Sequence, residues 1–280
     1  MIGSTVNPTF LISTRAMPIA HVNGIDLYYE SQGKGRPVVL IAGFGMDHRV
    51  WQYTAGVLSR QYRVIYLDNR GVGQSSCPDH AYTVKMMAED TIGLIATLGL
   101  SSADLVGASF GGCVVQEIAA RHPEIARSAT ILCSPVKASP RLLQFARLRI
   151  EMLQADIPSA IVGRFFAVTG LSNDYMTRPG SVEQLVSASP APVSEIGLKQ
   201  QLHAMSSFDS RSWVGEIRCP TLLISADEDM LVELADVSFM ASVVKRHRLH
   251  VFEKTGHNPW FEQPDDFHAL LLDFLSLPIN

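Results

Sequence analysis

The sequence predicts an α/β fold with a mostly parallel central sheet and helices on both faces. Short continuous apolar runs recur along the chain, as expected of strands that are buried on both faces. Segments with apolar residues at three- and four-residue spacing lie between these runs, and strands that alternate with helices form parallel sheets. The strand-like runs are residues 37–41, 64–67, 104–106, 129–132, 221–224 and 249–252, and the helical segments are residues 51–61, 84–98, 113–122 and 265–277.

The chain divides into an N-terminal extension, a sheet-forming core and an inserted segment. Residues 1–16 are small and polar and lack the basic start and long apolar centre of a signal peptide, so we expect a flexible extension. The core is expected at residues 17–134 and 214–280. It opens on a predicted hairpin, because Asn23-Gly24 stands between apolar residues.

Residues 135–213 interrupt the alternation of strands and helices. The segment shows no buried-strand pattern, and prolines divide it at positions 140, 158, 179, 190 and 192. A segment of this length has structure of its own in a compact protein. The sequence therefore predicts a helical cap that leaves the sheet after the sixth strand and then returns to it.

The composition is that of a globular protein, and it leads us to expect neither a nucleic acid nor a membrane partner. Of the 280 residues, 47% are hydrophobic and 18% are charged, which is enough apolar material for a sizeable core. The formal net charge of −4 gives no reason to expect nucleic acid or an anionic membrane as a partner. The four cysteines lack metal-type spacing. We therefore expect no metal and no cofactor, and we expect free thiols in the cytoplasm.

The clearest chemical motif is Gly107-Ala108-Ser109-Phe110-Gly111, which follows a predicted strand and precedes a predicted helix. A serine at such a tight turn has a strained backbone, and its hydroxyl projects from the carboxyl end of the sheet. Small residues are needed on both sides because the chain passes close to itself. The motif predicts that Ser109 is a nucleophile, whereas a turn that only packs strand against helix is the alternative.

A serine is a weak nucleophile alone, so this hypothesis requires a base and an orienting acid downstream. His257 is the histidine that follows the last predicted strand on a loop and is preceded by glycine. Three acids follow the strand at 221–224, namely Asp227, Glu228 and Asp229. We choose Asp229 as the acid from its spacing to His257 and its place at the far end of the loop, with Asp227 as the alternative.

The glycine-rich segment Gly43-Phe44-Gly45 follows the first buried strand. A loop at this place can present the backbone N–H of Phe44 beside the backbone N–H of Phe110. Two such donors form an oxyanion hole, which stabilises the negative charge of a tetrahedral intermediate.

Together these motifs resemble the α/β-hydrolase family, from about residue 19 to the C terminus. The matching segments are Gly43-Phe44-Gly45, residues 68–75, residues 107–111, Asp229 and Gly256-His257, in the family's chain order of Ser, Asp and His. The resemblance implies the capped, small-substrate branch, in which the loop at 68–75 has a structural role. Many relatives have His-Gly in the oxyanion loop where this chain has Ala42-Gly43, so the support of the loop can differ.

A serine nucleophile excludes the relatives that use an aspartate at this position, notably haloalkane dehalogenases and epoxide hydrolases. Acyl transfer to water remains. We expect a serine hydrolase that cleaves a small to medium carboxylic ester through an acyl-enzyme intermediate. The resemblance also leaves open lactone hydrolysis, C–C bond hydrolysis, perhydrolysis and a non-catalytic role as a receptor for small molecules.

The predicted cap offers hints about the substrate. We expect Trp51, Phe145 and Phe166 to contact it. The cap also contains Arg141, Arg147, Arg149 and Arg164, and a solvated helix face is their simplest interpretation. The alternative is a landing site for an acidic acyl carrier protein, which would resemble the carrier-protein methyl ester esterases of biotin synthesis.

Overall fold

The computed structural model describes residues 18–187 and 193–277, so the expected extension at residues 1–16 lies outside the described residues. Its strands are β1 (Ile19–Val22), β2 (Ile25–Gln32), β3 (Pro37–Ile41), β4 (Arg63–Leu67), β5 (Ala103–Ala108), β6 (Ala126–Leu132), β7 (Thr221–Ala226) and β8 (His247–Phe252). They form one sheet in the order β1-β2-β4-β3-β5-β6-β7-β8. β2 pairs antiparallel with β1 and β4, and the other neighbours are parallel, which confirms the mostly parallel sheet.

Helices cover both faces of this sheet. They are α1 (Gln52–Leu58), α2 (Val84–Thr97), α3 (Phe110–Arg121), α4 (Pro140–Gln154), α5 (Ser159–Gly170), α6 (Asn173–Met176), α7 (Ser181–Ser187), α8 (Glu195–Ser207), α9 (Leu234–Val243), α10 (Pro259–Glu262) and α11 (Pro264–Ser276). The hydrophobic core on one face includes residues of α2, α3 and α9, and the core on the other face includes residues of α1 and α11.

The buried strands divide their side chains between these two cores. In β3, Val39 and Ile41 belong to the core of α2, α3 and α9, whereas Val38 and Leu40 belong to the core of α1 and α11. All four side chains are fully buried. The strand is apolar at every position because each face of the sheet is covered, as the continuous runs in the sequence predict.

The β1–β2 hairpin has the turn that its sequence predicts. Val22 pairs with Ile25, and the two intervening residues have positive φ angles of 48° at Asn23 and 76° at Gly24. Positive φ at both central positions is the requirement of a type I′ turn, which asparagine and glycine tolerate best. This turn starts the antiparallel edge of the sheet.

Five helices, α4 to α8, lie between β6 and β7 in the described part of the insertion. Helices α4 and α8 pack against each other, and α5 packs against α7. Pro140 does not break a helix: it is the first residue of α4, and the preceding Ser139 caps the helix by accepting a hydrogen bond from the Leu142 N–H. Proline is favoured at this position because its missing N–H would have no partner in the helix.

Within residues 18–187 and 193–277, no helix combines the length and the apolar character needed to cross a membrane.

Candidate active site

Ser109 lies between β5 and α3, where its backbone has a φ of 52° and a ψ of −119°. This conformation costs about 1–3 kcal/mol in a residue other than glycine, so the surroundings must hold it. Its N–H donates to the Leu132 carbonyl at 2.8 Å. A Cβ at Gly107 would clash with the Gly111 carbonyl, and one at Gly111 would clash with the Ile41 carbonyl. The two glycines are therefore what allows the turn that presents Ser109.

His257 and Asp229 are hydrogen-bonded to each other. His257 follows β8, Asp229 follows β7, and His257 Nδ1 lies 2.8 Å from Asp229 Oδ2. The other carboxylate oxygen, Oδ1, accepts hydrogen bonds from the backbone N–H groups of Leu231 at 2.8 Å and Val232 at 3.0 Å. The side chains are 9% and 1% exposed respectively, so water competes little with this arrangement.

The other two acids of the same loop have different partners. Asp227 Oδ1 accepts from the Thr255 N–H at 3.2 Å, and Glu228 Oε2 accepts from the Asn173 N–H at 2.8 Å. Of the three carboxylates, the structure brings Asp229 to His257.

The loop at residues 43–45, called the oxyanion loop below for its predicted role, lies directly against Ser109. A Cβ built on Gly43 would be 3.3 Å from Ser109 Cβ and 3.9 Å from its Oγ. Phe110 is the first residue of α3, where a backbone N–H has no partner inside the helix. Among the described residues, neither the Phe44 N–H nor the Phe110 N–H donates to a protein acceptor. Both N–H groups thus lack a protein acceptor, which is a requirement of the predicted oxyanion hole.

The oxyanion loop is held by residues of the neighbouring loop and of the inserted helices α4–α8, which are called the cap below. Asn69 Nδ2 donates to the Ala42 carbonyl at 3.1 Å, and the Gly45 N–H donates to Gln201 Oε1 at 2.8 Å. Arg149 donates from Nη1 to the Phe44 carbonyl at 2.5 Å and from Nη2 to the Gly45 carbonyl at 2.7 Å. Sequence reasoning did not find these roles of Arg149 and Gln201.

The loop at residues 68–75 is fixed by its own buried charges. Asp68 Oδ1 accepts from the backbone N–H of His48 at 2.7 Å and lies 2.7 Å from His48 Nδ1. Arg70 and Asp90 form a bidentate salt bridge, with Nε–Oδ2 and Nη2–Oδ1 distances of 2.6 and 2.7 Å. These contacts connect the loop to α2 and to the segment that follows the oxyanion loop.

We expect Asp90→Asn to lower the free energy of unfolding by about 3 kcal/mol, because it leaves the buried Arg70 guanidinium without a counter-ion. The side chains of Arg70 and Asp90 are 3% and 2% exposed. Glu89→Gln on the same helix is the control, since Glu89 forms an exposed pair with Lys85 and its loss costs about 0.5 kcal/mol or less. Urea denaturation measures both values, and equal effects of the two substitutions would contradict the assignment.

A family model described as the α/β hydrolase fold matches residues 36–264. The chain belongs to this family. The RutD protein of Azorhizobium caulinodans, provisionally named a carbamate hydrolase, is 28% identical over 262 residues, which cover 92% of this chain and 98% of that protein. Pyrrolizixenacetamide deacetylase of Xenorhabdus hominickii is 26% identical and covers 91% of this chain and 96% of its own length. An enol-lactonase from Burkholderia xenovorans shares the fold, with a TM-score of 0.83, 24% identity and coverage of 93% and 100%.

The family and these named relatives support hydrolase activity. Three cap aromatic residues of the hydrolase form a cluster near the oxyanion loop, in which Phe145 stacks on Phe165 and meets Phe166 edge-on. The ring of Phe145 lies 5.3 Å from that of Phe165 and 5.9 Å from that of Phe166. The Arg149 guanidinium lies 5.1 Å from the ring of Phe166 and 5.6 Å from the ring of Phe44. Arg149 thus links the cap aromatics to the oxyanion loop.

Trp51 lies in a hydrophobic core and not among the cap aromatic residues. Its side chain is fully buried and its ring lies 5.4 Å from that of Trp260, within the core of α1 and α11. A side chain without exposed surface offers nothing for a ligand to contact. We therefore remove Trp51 from the expected substrate contacts.

The four cap arginines of the hydrolase do not form one surface. Arg141, Arg147 and Arg164 are exposed, but Arg149 is only 6% exposed. The expectation of a four-arginine landing site for a carrier protein is wrong in this respect, because Arg149 faces inward. Docking through the remaining three stays a prediction.

In the part of the chain that the structure describes, two groups of side chains have the mutual distances of metal ligands: Cys133 with Asp229 and His257, and His48 with Asp47 and Asp68. Burial and the nearby Asp229 carboxylate raise the pKa of the Cys133 thiol well above its usual value, which keeps the thiol neutral. Both groups also contain a histidine–carboxylate hydrogen bond. A metal ion at either place would have to displace that bond.

Proposed function

We propose that this α/β hydrolase is a serine hydrolase that cleaves a small to medium carboxylic ester through an acyl-enzyme intermediate. The observation that carries the proposal is the His257–Asp229 hydrogen bond at the carboxyl edge of the sheet that also presents Ser109. A nucleophile, a base and an orienting acid on three different loops are the parts that acyl transfer requires.

The hydrogen bond supports Nε2 of His257 as the base. Because Nδ1 donates to the Asp229 carboxylate, the neutral imidazole has its lone pair on Nε2. In the proposed mechanism, Nε2 removes the proton of the Ser109 hydroxyl as its oxygen attacks the ester carbonyl carbon. The Phe44 and Phe110 N–H groups donate to the resulting oxyanion. The imidazolium then protonates the departing alkoxide, and the C–O bond of the ester breaks to leave an acyl-serine.

Water completes the cycle by the same steps. Nε2 removes a proton from water, the hydroxide attacks the acyl carbon, and the second tetrahedral intermediate collapses. Ser109 Oγ leaves and recovers its proton from the imidazolium, which releases the carboxylic acid. The cycle consumes one ester and one water molecule, releases the alcohol and the carboxylic acid, and returns Ser109 and His257 to their starting forms.

The names of the relatives are consistent with this class of reaction. A carbamate and an acetamide each contain a carbonyl carbon bonded to a leaving heteroatom, as an ester does. The cluster of the Phe145, Phe165 and Phe166 rings in the cap favours an apolar acyl or alcohol group of modest size.

A substrate panel tests the proposal. The protein is assayed with p-nitrophenyl acetate and butyrate, a γ-lactone, an aryl carbamate and a vinylogous diketone, and is treated in parallel with a fluorophosphonate whose attachment site is mapped by mass spectrometry. We expect a single label on Ser109 and the highest kcat/KM on an ester. Dominant cleavage of the diketone would contradict the ester assignment. Absence of both labelling and turnover would indicate a non-catalytic receptor.

A further inference from the structure

The oxyanion loop of this chain is a β-turn whose central peptide is held at both ends by the cap. The Met46 N–H donates to the Gly43 carbonyl at 3.2 Å, which closes a turn over Gly43–Met46. The central peptide of the turn joins Phe44 to Gly45. Its carbonyl accepts from Arg149 of α4, and its N–H donates to Gln201 of α8.

These bonds restrict the orientation of the Phe44 donor. The Phe44 N–H and the Gly43 carbonyl belong to one planar trans peptide, so they point in opposite directions. The turn bond from Met46 fixes that carbonyl. The bonds of Arg149 and Gln201 to the next peptide, called the clamp below, fix the torsion angles between the two peptide planes. A rotation of the Phe44–Gly45 peptide would have to break the bonds of both Arg149 and Gln201.

The Arg149 guanidinium packs closely against the backbone at Gly45. Gly45 has a φ of 60°, and a Cβ on it would clash with Arg149 Nη1. Arg149 makes a second bond to the Gly45 carbonyl at 2.7 Å, so its planar guanidinium spans two successive carbonyls. Gln201 is fully buried, and its Nε2 donates to the Arg70 carbonyl at 2.9 Å. The amide therefore bridges the oxyanion loop and the loop at residues 68–75.

Arg149 is also a buried positive charge without an acidic partner in the described part of the chain: no carboxylate lies within ion-pair distance of its guanidinium. Burial lowers the pKa of Arg149 to about 10, so the side chain remains charged near neutral pH. Holding an unpaired charge in the protein interior costs stability. In place of an acid, the backbone carbonyls of Phe44 and Gly45 accept hydrogen bonds from this guanidinium.

We propose that Arg149 and Gln201 are positioning residues for the oxyanion hole, so that the docked cap, and not the loop sequence alone, holds the Phe44 N–H toward the reacting carbonyl. This inference rests on the proposed function. It also explains how the oxyanion loop is supported with Ala42 in place of a polar residue. The side chains of Arg149 and Gln201 in the cap supply the hydrogen bonds that the loop's own side chains cannot make.

The test compares Arg149→Met, Arg149→Lys and Gln201→Leu with two controls on the same helices, Arg147→Met and Gln200→Leu. Arg147 is exposed, and Gln200 contacts only the exposed Asp79 side chain by hydrogen bond among the described residues. We expect Arg149→Met and Gln201→Leu to lower kcat for p-nitrophenyl butyrate about 10- to 100-fold and to change KM less than about threefold. The reason is that a misplaced Phe44 N–H stabilises the transition state less but leaves substrate binding nearly unchanged. Arg149→Lys should lie between wild type and Arg149→Met, because an ammonium cannot span both carbonyls.

Two further measurements separate positioning from a general structural effect. Affinity for an alkyl boronic acid, which forms a tetrahedral adduct with a serine, should fall by the same factor as kcat/KM. Hydrogen exchange of the segment that contains Gly45 should become faster in Gln201→Leu, while exchange in β3 stays unchanged. The exchange experiment needs no turnover, so it tests the clamp even if the wild-type protein fails to hydrolyse esters.

A rise in KM with unchanged kcat would overturn the proposal, since it would make Arg149 a substrate contact. Folded variants with kcat within twofold of wild type and unchanged exchange at Gly45 would also overturn it. If Arg149→Met does not fold, Gln201→Leu and Arg149→Lys decide the matter by the same criteria.

Discussion

Ser109→Ala is expected to lower kcat for an activated ester by about 10⁵- to 10⁶-fold, as removal of a nucleophilic serine does in other triad enzymes. The substitution removes Oγ, the atom that forms the covalent bond, and leaves the oxyanion donors of Phe44 and Phe110 in place. Residual turnover above the rate in water then comes from binding and from those donors. Stopped-flow assays with p-nitrophenyl butyrate measure the loss, and the burst of nitrophenol that reports the acyl-enzyme should disappear with it.

The substitution should leave the fold intact. Alanine has the same Cβ as serine, so the strain of a φ of 52° is carried by both residues and the free energy of unfolding should change little. Ser102→Ala is the matched control, because Ser102 immediately precedes β5, at the opposite edge of the sheet from Ser109. A folded Ser109→Ala protein that retains a tenth of the wild-type kcat would contradict the role of Ser109.

The features of this chain that the sequence predicted well are local ones. Each buried strand is recognisable because two covered faces require apolar residues at successive positions, as Val38 and Val39 show. The turn at Ser109 is recognisable because Gly107 and Gly111 meet a steric requirement within five residues of chain. The sequence does not indicate helix α9, since few polar residues interrupt its apolar ones and its periodicity is weak.

The support of the site depends on contacts that are distant in sequence. Arg149 and Gln201 are 105 and 156 residues from the carbonyl and N–H groups that they bind, Phe44 and Gly45 respectively. No motif connects such positions, because the contacts exist only when the cap has docked. The burial of Arg149 did have a signal, however. It shares the buried stripe of α4 with Leu142, Ala146 and Ile150, at helical spacing.

The choice among Asp227, Glu228 and Asp229 shows the limit of spacing arguments. All three follow the same strand, and only the three-dimensional path of the loop decides which carboxylate points to His257. The loop turns so that the N–H groups of Leu231 and Val232 bind Asp229 Oδ1 and leave Oδ2 for the imidazole.

That division of the two oxygens predicts a large effect of Asp229→Asn. The amide oxygen of asparagine should take the place of Oδ1, because the two backbone N–H groups require an acceptor there. The NH₂ group then faces His257 Nδ1 and donates to it. The imidazole proton moves to Nε2, and the base that should accept the Ser109 proton is lost. We expect kcat to fall about 10⁴-fold with little change in KM, which is the cost of the wrong tautomer in a triad.

Asp227→Asn is the matched comparison, since it makes the same chemical change two residues away. Asp227 Oδ1 accepts from the Thr255 N–H, and an amide oxygen can accept that bond equally well, so kcat should stay within about threefold of wild type. Steady-state kinetics with one ester measure both variants, and thermal unfolding establishes that both are folded. Should Asp227→Asn prove the more damaging of the two, the hydrogen bond between Asp229 and His257 would not be the one that orients the base.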